Sequence, residues 1–296
     1  MDRRRFSGGL ALGLASAWLP AQAQKNTARG APAADWRAIE RRVGGRLGVA
    51  VLDTADGRLD GQRLDERFPM CSTFKWLAAA LVLERVDAGT ERLDRHLRYG
   101  PDVLVAHSPV TKRHQAEGMS LGGLCEATVT ESDNGAANLI LDSVGGPAAI
   151  TAFARRLGDT ETRLDRAEPM LNEAAPGDPR DTTTPRAMVG SMRAAALGEA
   201  LSPASRDRLV GWLVGATTGR QRLRAALPPG WRGGDKTGSG ERGTTNDVAV
   251  FWPPGHRSPM VIAAYLTDSA ATWDARQAAL AAVGRVVVRQ VGARHG

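Results

Sequence analysis

Lysine is scarce in this sequence. Of its 39 basic residues, four are lysines (Lys25, Lys75, Lys112 and Lys236), leaving 35 arginines. Arginine does not release its proton in proteins, so a site that needs a neutral amine must use lysine. Cysteine is nearly missing too: Cys71 and Cys125 allow at most one bridge. That excludes a disulfide-stapled scaffold, and a chain of 296 residues can bury a sufficient core without one. Two buried free thiols are the expectation. After the first residues there is no apolar run long enough to cross a bilayer.

What is present begins with charge. A net charge of +7 raises the question of nucleic acid or anionic lipid. The basic residues, however, are interleaved with acids, as in "LDERFP" and "DPRDTTTPR", and form no stripe or arm. No nucleic-acid partner is expected, although a small anionic substrate would be attracted. The opening "MDRRRFSGGLALGLASAWLPAQAQ" joins Arg3, Arg4 and Arg5 to a short apolar stretch and an Ala21-Gln22-Ala23 pattern. It has the form of a twin-arginine export signal over 1–23, followed by a mature lead over 24–34. Export to the periplasm without later membrane insertion is the expectation.

"DWRAIERRVG" spaces Trp36, Ile39 and Val43 on one helical face, and "RLGVAVLDT" and "GRLDGQRL" form a hairpin turning at Asp56-Gly57. From Thr73 to about residue 215 the pattern is helical. Two of those helices open on Pro147 and on Thr184-Pro185. "NDVAVFWPPG" and "SPMVIAAYLT" return to strand, and "TWDARQAALAAVGRVVVRQV" closes as an amphipathic helix. The predicted class is α/β (α+β): an antiparallel sheet built from both chain ends and flanked by helices, with an all-helical subdomain inserted. The expected boundaries are 35–71 and 211–294 for the α/β part and 72–210 for the helical part. A catalytic cleft would sit at their junction.

"MCSTFKWLAAALVLERV" places Ser72 and Lys75 one helical turn apart at the entrance to an apolar helix. A serine hydroxyl needs a base to become a nucleophile. Burial disfavours the charged amine and so makes lysine a candidate for that base. Alone, Ser-x-x-Lys is more often an ordinary helix start. "ESDNGAANLI" puts Ser132, Asp133 and Asn134 before a helix, where a plain N-cap is the simpler reading. "GDKTGSGERG" carries Lys236, Thr237, Gly238 and Ser239 on a strand edge suited either to a hairpin arm or to close approach of a ligand.

In this order, Ser-x-x-Lys, Ser-Asp-Asn and Lys-Thr-Gly resemble the joint signature of class A β-lactamases and penicillin-binding proteins. "RLDRAEPMLNEAAPGDPRDTTTP" further resembles the omega loop of class A β-lactamases, here 163–181, with Glu168 and Asn172 in an E-x-x-L-N pattern. An acyl-enzyme is hydrolysed quickly only if a base steers water onto the ester, and penicillin-binding proteins lack this element.

The resemblance implies a serine β-lactamase fold and the opening of penicillins and cephalosporins through an acyl-enzyme. Ser72 would be the nucleophile. Lys75 and Glu168, through a water, would share the acylation base role, Glu168 and Asn172 would direct deacylation, and Ser132 with Lys236 would pass a proton to the leaving nitrogen. Backbone N–H groups of Ser72 and Ser239 would form the oxyanion hole. Asn134 would hold the acylamino side chain, Thr237 and Ser239 the carboxylate, and His107 would stand where relatives have an aromatic wall. Relatives neutralise the carboxylate with an arginine in one of two places; Thr245 occupies one and Arg222 the other. Arg166 and Asp181 would pin the loop, with a cis Glu168-Pro169 bond.

Ala167 replaces a Trp common in relatives and is expected to loosen the loop. Cys71 and Cys125 match cysteines that relatives bridge, but the partner positions hold Gly240 and Ala79, so neither bridge can form and carbapenemase activity is not implied. No metal or cofactor is expected, and the protein should act as a monomer. The alternatives are a penicillin-binding protein or a β-lactam sensor that acylates without turnover.

Overall fold

The computed structural model describes residues 32–255 and 257–293. The export-signal reading and the first eight residues of the expected lead lie outside them. Helix α1 (Pro32–Val43) starts earlier than the sequence suggested, taking in Pro32 to Ala34 that were read as lead. Proline suits a first helical turn, where its missing N–H has no partner to lose.

Next come β1 (Arg46–Asp53), β2 (Leu59–Gln62) and the short β3 (Phe68–Pro69). A 3-10 turn over Cys71–Phe74 leads into α2 (Lys75–Asp87), and β4 (His96–Leu97) and α3 (Pro109–Arg113) follow. The helical centre continues through β5 (Met119–Ser120), α4 (Leu121–Thr130), α5 (Asn134–Val144) and α6 (Pro147–Arg156). Beyond the omega loop lie β6 (Thr182–Thr183), α7 (Pro185–Ala196) and α8 (Pro203–Gly215). The chain returns through β7 (Arg232–Ser239), β8 (Thr245–Trp252) and β9 (Met260–Thr267) to α9 (Trp273–Ala293).

The main sheet is wholly antiparallel, in the order β2-β1-β9-β8-β7. Alternating side chains divide its two faces. Leu47, Val49, Val51, Phe251, Ile262 and Leu266 pack with Trp36 of α1 and Leu280 and Val287 of α9. Ala50, Val248, Val250, Val261, Ala263 and Tyr265 belong to a larger apolar cluster shared with α2, α4, α5, α6, α7 and α8. With both faces covered, every residue of β9 is buried.

Helix α2 runs through the middle of that cluster, and its residues from Lys75 to Leu83 are all buried. A lysine at the head of such a run pays a large desolvation cost unless polar partners meet its amine. Strand β7 lies at the sheet edge nearest the 3-10 turn. A side chain added at Gly238 would meet the Met70 carbonyl oxygen at 2.6 Å, so glycine is what permits this approach. Among the described residues, no single helix is long and apolar enough to cross a membrane.

Candidate active site

The 3-10 turn and first turn of α2 deliver Ser72 and Lys75 to one point. Ser72 Oγ donates to Glu168 Oε1 at 3.0 Å, and Lys75 Nζ lies 3.1 Å from the same oxygen. Hydroxyl and amine therefore meet through the carboxylate. Lys75 Nζ also donates to the Ser132 carbonyl oxygen at 2.6 Å and to Asn134 Oδ1, which satisfies the amine inside the core. Desolvation holds Lys75 below the usual lysine range, with the adjacent Glu168 opposing that shift.

Glu168 is held from three sides. Asn172 Nδ2 donates to its Oε2 at 2.5 Å. Its backbone N–H donates to Asn138 Oδ1 at 3.0 Å, and Asn138 Nδ2 donates back to its carbonyl oxygen at 2.9 Å. Asn138 was not among the residues singled out in the sequence; it is a positioning residue on α5 that fixes the omega loop to the helical core. The Glu168-Pro169 bond is cis, as the resemblance implied.

The loop closes through Asp181. Its Oδ2 pairs with Arg166 Nε at 2.6 Å, while its Oδ1 accepts the N–H groups of Asp165 and Arg166 at 2.8 and 3.0 Å. Asp181 is almost wholly buried, so the closure is shielded from salt. Ala167 is exposed within it.

In the Ser-Asp-Asn segment the three side chains divide their work. Asp133 faces inward, capping α5 through Ala136 N–H at 2.8 Å and accepting from the N–H groups of Val110 and Thr111 at 2.7 and 3.0 Å. The N-cap reading thus holds for Asp133. Ser132 and Asn134 line the cleft. Ser132 Oγ accepts from Lys236 Nζ at 2.9 Å and stands 3.4 Å from Lys75 Nζ, so one hydroxyl bridges the two buried amines. Burial pushes Lys236 well below the usual lysine range; the charge of Lys75 adds to this and Asp235 opposes it. Asn134 Nδ2 is tied to the Ala106 carbonyl oxygen at 2.7 Å, fixing the amide at the cleft wall.

A model of the β-lactamase enzyme family matches residues 31–291. The chain is 46% identical over 302 residues to β-lactamase L2 of Stenotrophomonas maltophilia, covering 99% of this chain and 100% of that one. The chain belongs to the β-lactamase enzyme family. It is likewise 49% identical to β-lactamase OXY-2 of Klebsiella oxytoca, over 84% of this chain and 86% of that one. A solved ancestral class A β-lactamase superposes with a TM-score of 0.85 at 63% identity, over 86% of this chain and 97% of that one. This is a class A serine enzyme that hydrolyses β-lactams.

The remaining residues of this β-lactamase surround the serine. Ser72, His107, Ser132, Asn134, Asn172, Arg222, Thr237 and Ser239 all line one cleft of about 690 Å³. A larger groove of about 1000 Å³, beside α7, contains none of the motif residues. Arg222 is 3% exposed and donates through Nη1 to the carbonyl oxygens of Gly238 and Asn246, at 2.8 and 2.7 Å, and through Nη2 to Ser239 Oγ at 2.8 Å. Thr237 Oγ1 is 2.7 Å from Thr218 Oγ1. His107 stands exposed in a left-handed backbone conformation, with Nε2 3.0 Å from the Glu131 carbonyl oxygen.

Both cysteines are free and buried, and burial pushes both thiols up and away from reactivity. A Cβ added at Gly240 would lie 2.7 Å from Cys71 Sγ, so these two positions do adjoin in the fold. Trp273, Gln277 and Gln221, which no sequence motif marks, close the cleft beyond Arg222.

Proposed function

We propose that this β-lactamase opens penicillins and cephalosporins by transient acylation of Ser72. The observation that carries the reading is the convergence of Ser72 Oγ and Lys75 Nζ on one oxygen of Glu168. A proton leaving the hydroxyl has a carboxylate within hydrogen-bond reach, and a buried amine beside that carboxylate can relay it. The chain of Lys236, Ser132 Oγ and Lys75 supports delivery of a proton to the departing lactam nitrogen. Backbone N–H groups of Ser72 and Ser239 serve as the oxyanion donors, each worth roughly 3–4 kcal/mol in comparable acyl-transfer sites. Glu168, held by Asn172, then takes a proton from the water that cleaves the ester.

The Asn134 amide supports binding of the acylamino group, with His107 at the mouth. Thr237 and Ser239 hold the carboxylate, and Arg222 supplies the countercharge through Ser239. We read 35–71 with 211–294, and 72–210, as two subdomains with the cleft at their seam, and the enzyme as a monomer exported to the periplasm by the twin-arginine route.

A chromogenic cephalosporin mixed with the purified protein is expected to be consumed over many turnovers. A single stoichiometric burst would instead support a penicillin-binding protein or sensor. Arg222→Ala should raise KM for carboxylate-bearing substrates roughly 10- to 100-fold, the range for a lost charge-assisted hydrogen bond. Steady-state kinetics read this directly, and an unchanged KM would place the carboxylate anchor elsewhere. The variant also strips two backbone carbonyls of their donor, so its melting temperature should fall.

A further inference from the structure

Among the described residues, Met170 and Trp273 are the large apolar side chains left exposed, and Trp273, 46% exposed, lines the same cleft as Ser72 and Ser239. Its ring is held in place. The guanidinium carbons of Arg222 and Arg276 lie 5.2 and 5.8 Å from its centre. Arg276 is in turn fixed by Thr245 Oγ1 at 3.2 Å. Gln277 Nε2 donates to Gln221 Oε1 at 2.6 Å and ties α9 to the loop that carries Arg222. A rigid aromatic surface at the edge of a cleft can bind a planar group at little entropic cost.

We propose that Trp273 forms a subsite for a neutral or anionic heteroaromatic substituent borne on the substrate ring next to its carboxylate. The subsite rests on the reading of the cleft given above. Arg222 hydrogen-bonds Ser239 and also contacts the indole, so a carboxylate docked on Ser239 lies one guanidinium away from Trp273. In a cephalosporin the C3 substituent leaves the ring on the atom adjacent to the one bearing the carboxylate. A heteroaryl group there reaches the indole, whereas a C3 methyl group does not. The surrounding guanidinium groups disfavour a cationic ring at this place.

The test compares two cephalosporins with the same C7 acyl group, one carrying a neutral heteroarylthiomethyl group at C3 and the other a methyl. In Trp273→Ala, the ratio of their kcat/KM values should fall roughly 5- to 10-fold against the heteroaryl substrate, the scale of one aromatic stacking contact. Trp273→Phe should restore most of it. If both substrates lose equally, or the ratio does not move, Trp273 merely supports Arg222 and the subsite is refuted. Absence of any turnover by the unmutated protein would sink the reading of the cleft itself, and the subsite with it.

Discussion

Glu168→Ala is expected to convert this enzyme from a catalyst into a trap. Mixed with a penicillin, it should release one equivalent of product signal and then stall, with the acyl adduct persisting on Ser72 in an intact-mass measurement. The expected fall in deacylation is roughly 10²- to 10⁴-fold, the contribution of a positioned general base. Acylation should suffer less, for a reason visible in the electrostatics. Burial lowers Lys75, and Glu168 is the leading influence that raises it again. Removing the carboxylate weakens the opposition to desolvation, with Asp133 still raising Lys75, so a larger fraction of the amine should be neutral at a given pH and available as a base. Steady turnover near the unmutated rate would remove Glu168 from deacylation. Loss of acylation along with deacylation would instead make Glu168 the base for both steps.

Much of this site is legible in the sequence, because its residues fall in short local motifs. Ser72 and Lys75 are separated by one turn; Ser132 and Asn134 flank a capping aspartate; Lys236, Thr237 and Ser239 occupy a strand that does lie at a sheet edge. The strands and the terminal helices were readable from alternation and helical spacing. What escaped was long-range. Asn138 meets Glu168 across 30 residues, and Gln277 meets Gln221 across 56, and neither pairing leaves a periodic trace. Two-residue ladders such as Phe68–Pro69 with Thr182–Thr183 are too short for any alternation to reveal. Trp273 looked like the opening residue of an amphipathic helix. Its exposure beside Arg222 depends on how α9 meets the loop before β7, which only the folded chain displays. The meeting of Ser72 Oγ and Lys75 Nζ on a single oxygen of Glu168 was similarly hidden: the resemblance brought Glu168 to the site, but spacing could not say that its carboxylate would stand between the two.

Lys75→Arg tests the idea with which the sequence began, that lysine stands here for its proton chemistry rather than its charge. Arginine keeps the positive charge beside Glu168 but cannot become the neutral base that accepts a proton, and kcat/KM for a penicillin should fall roughly 10²- to 10⁴-fold. Lys75→Met, neutral and of similar length, should lose a comparable amount, because it too cannot carry the proton. The two variants separate charge from proton transfer in a way that alanine would not. In the unmutated enzyme, the lowered Lys75 should give acylation an acid limb: the rate is expected to decline as pH drops through its depressed value and the amine becomes fully protonated. That limb should be absent or displaced in both variants. Arg also adds volume to a fully buried position, so circular dichroism and melting curves must show a folded protein for the comparison to count. Should Lys75→Arg retain most of the activity with a native-like fold, the cation alone would suffice, and the proton of Ser72 would have to pass directly to Glu168.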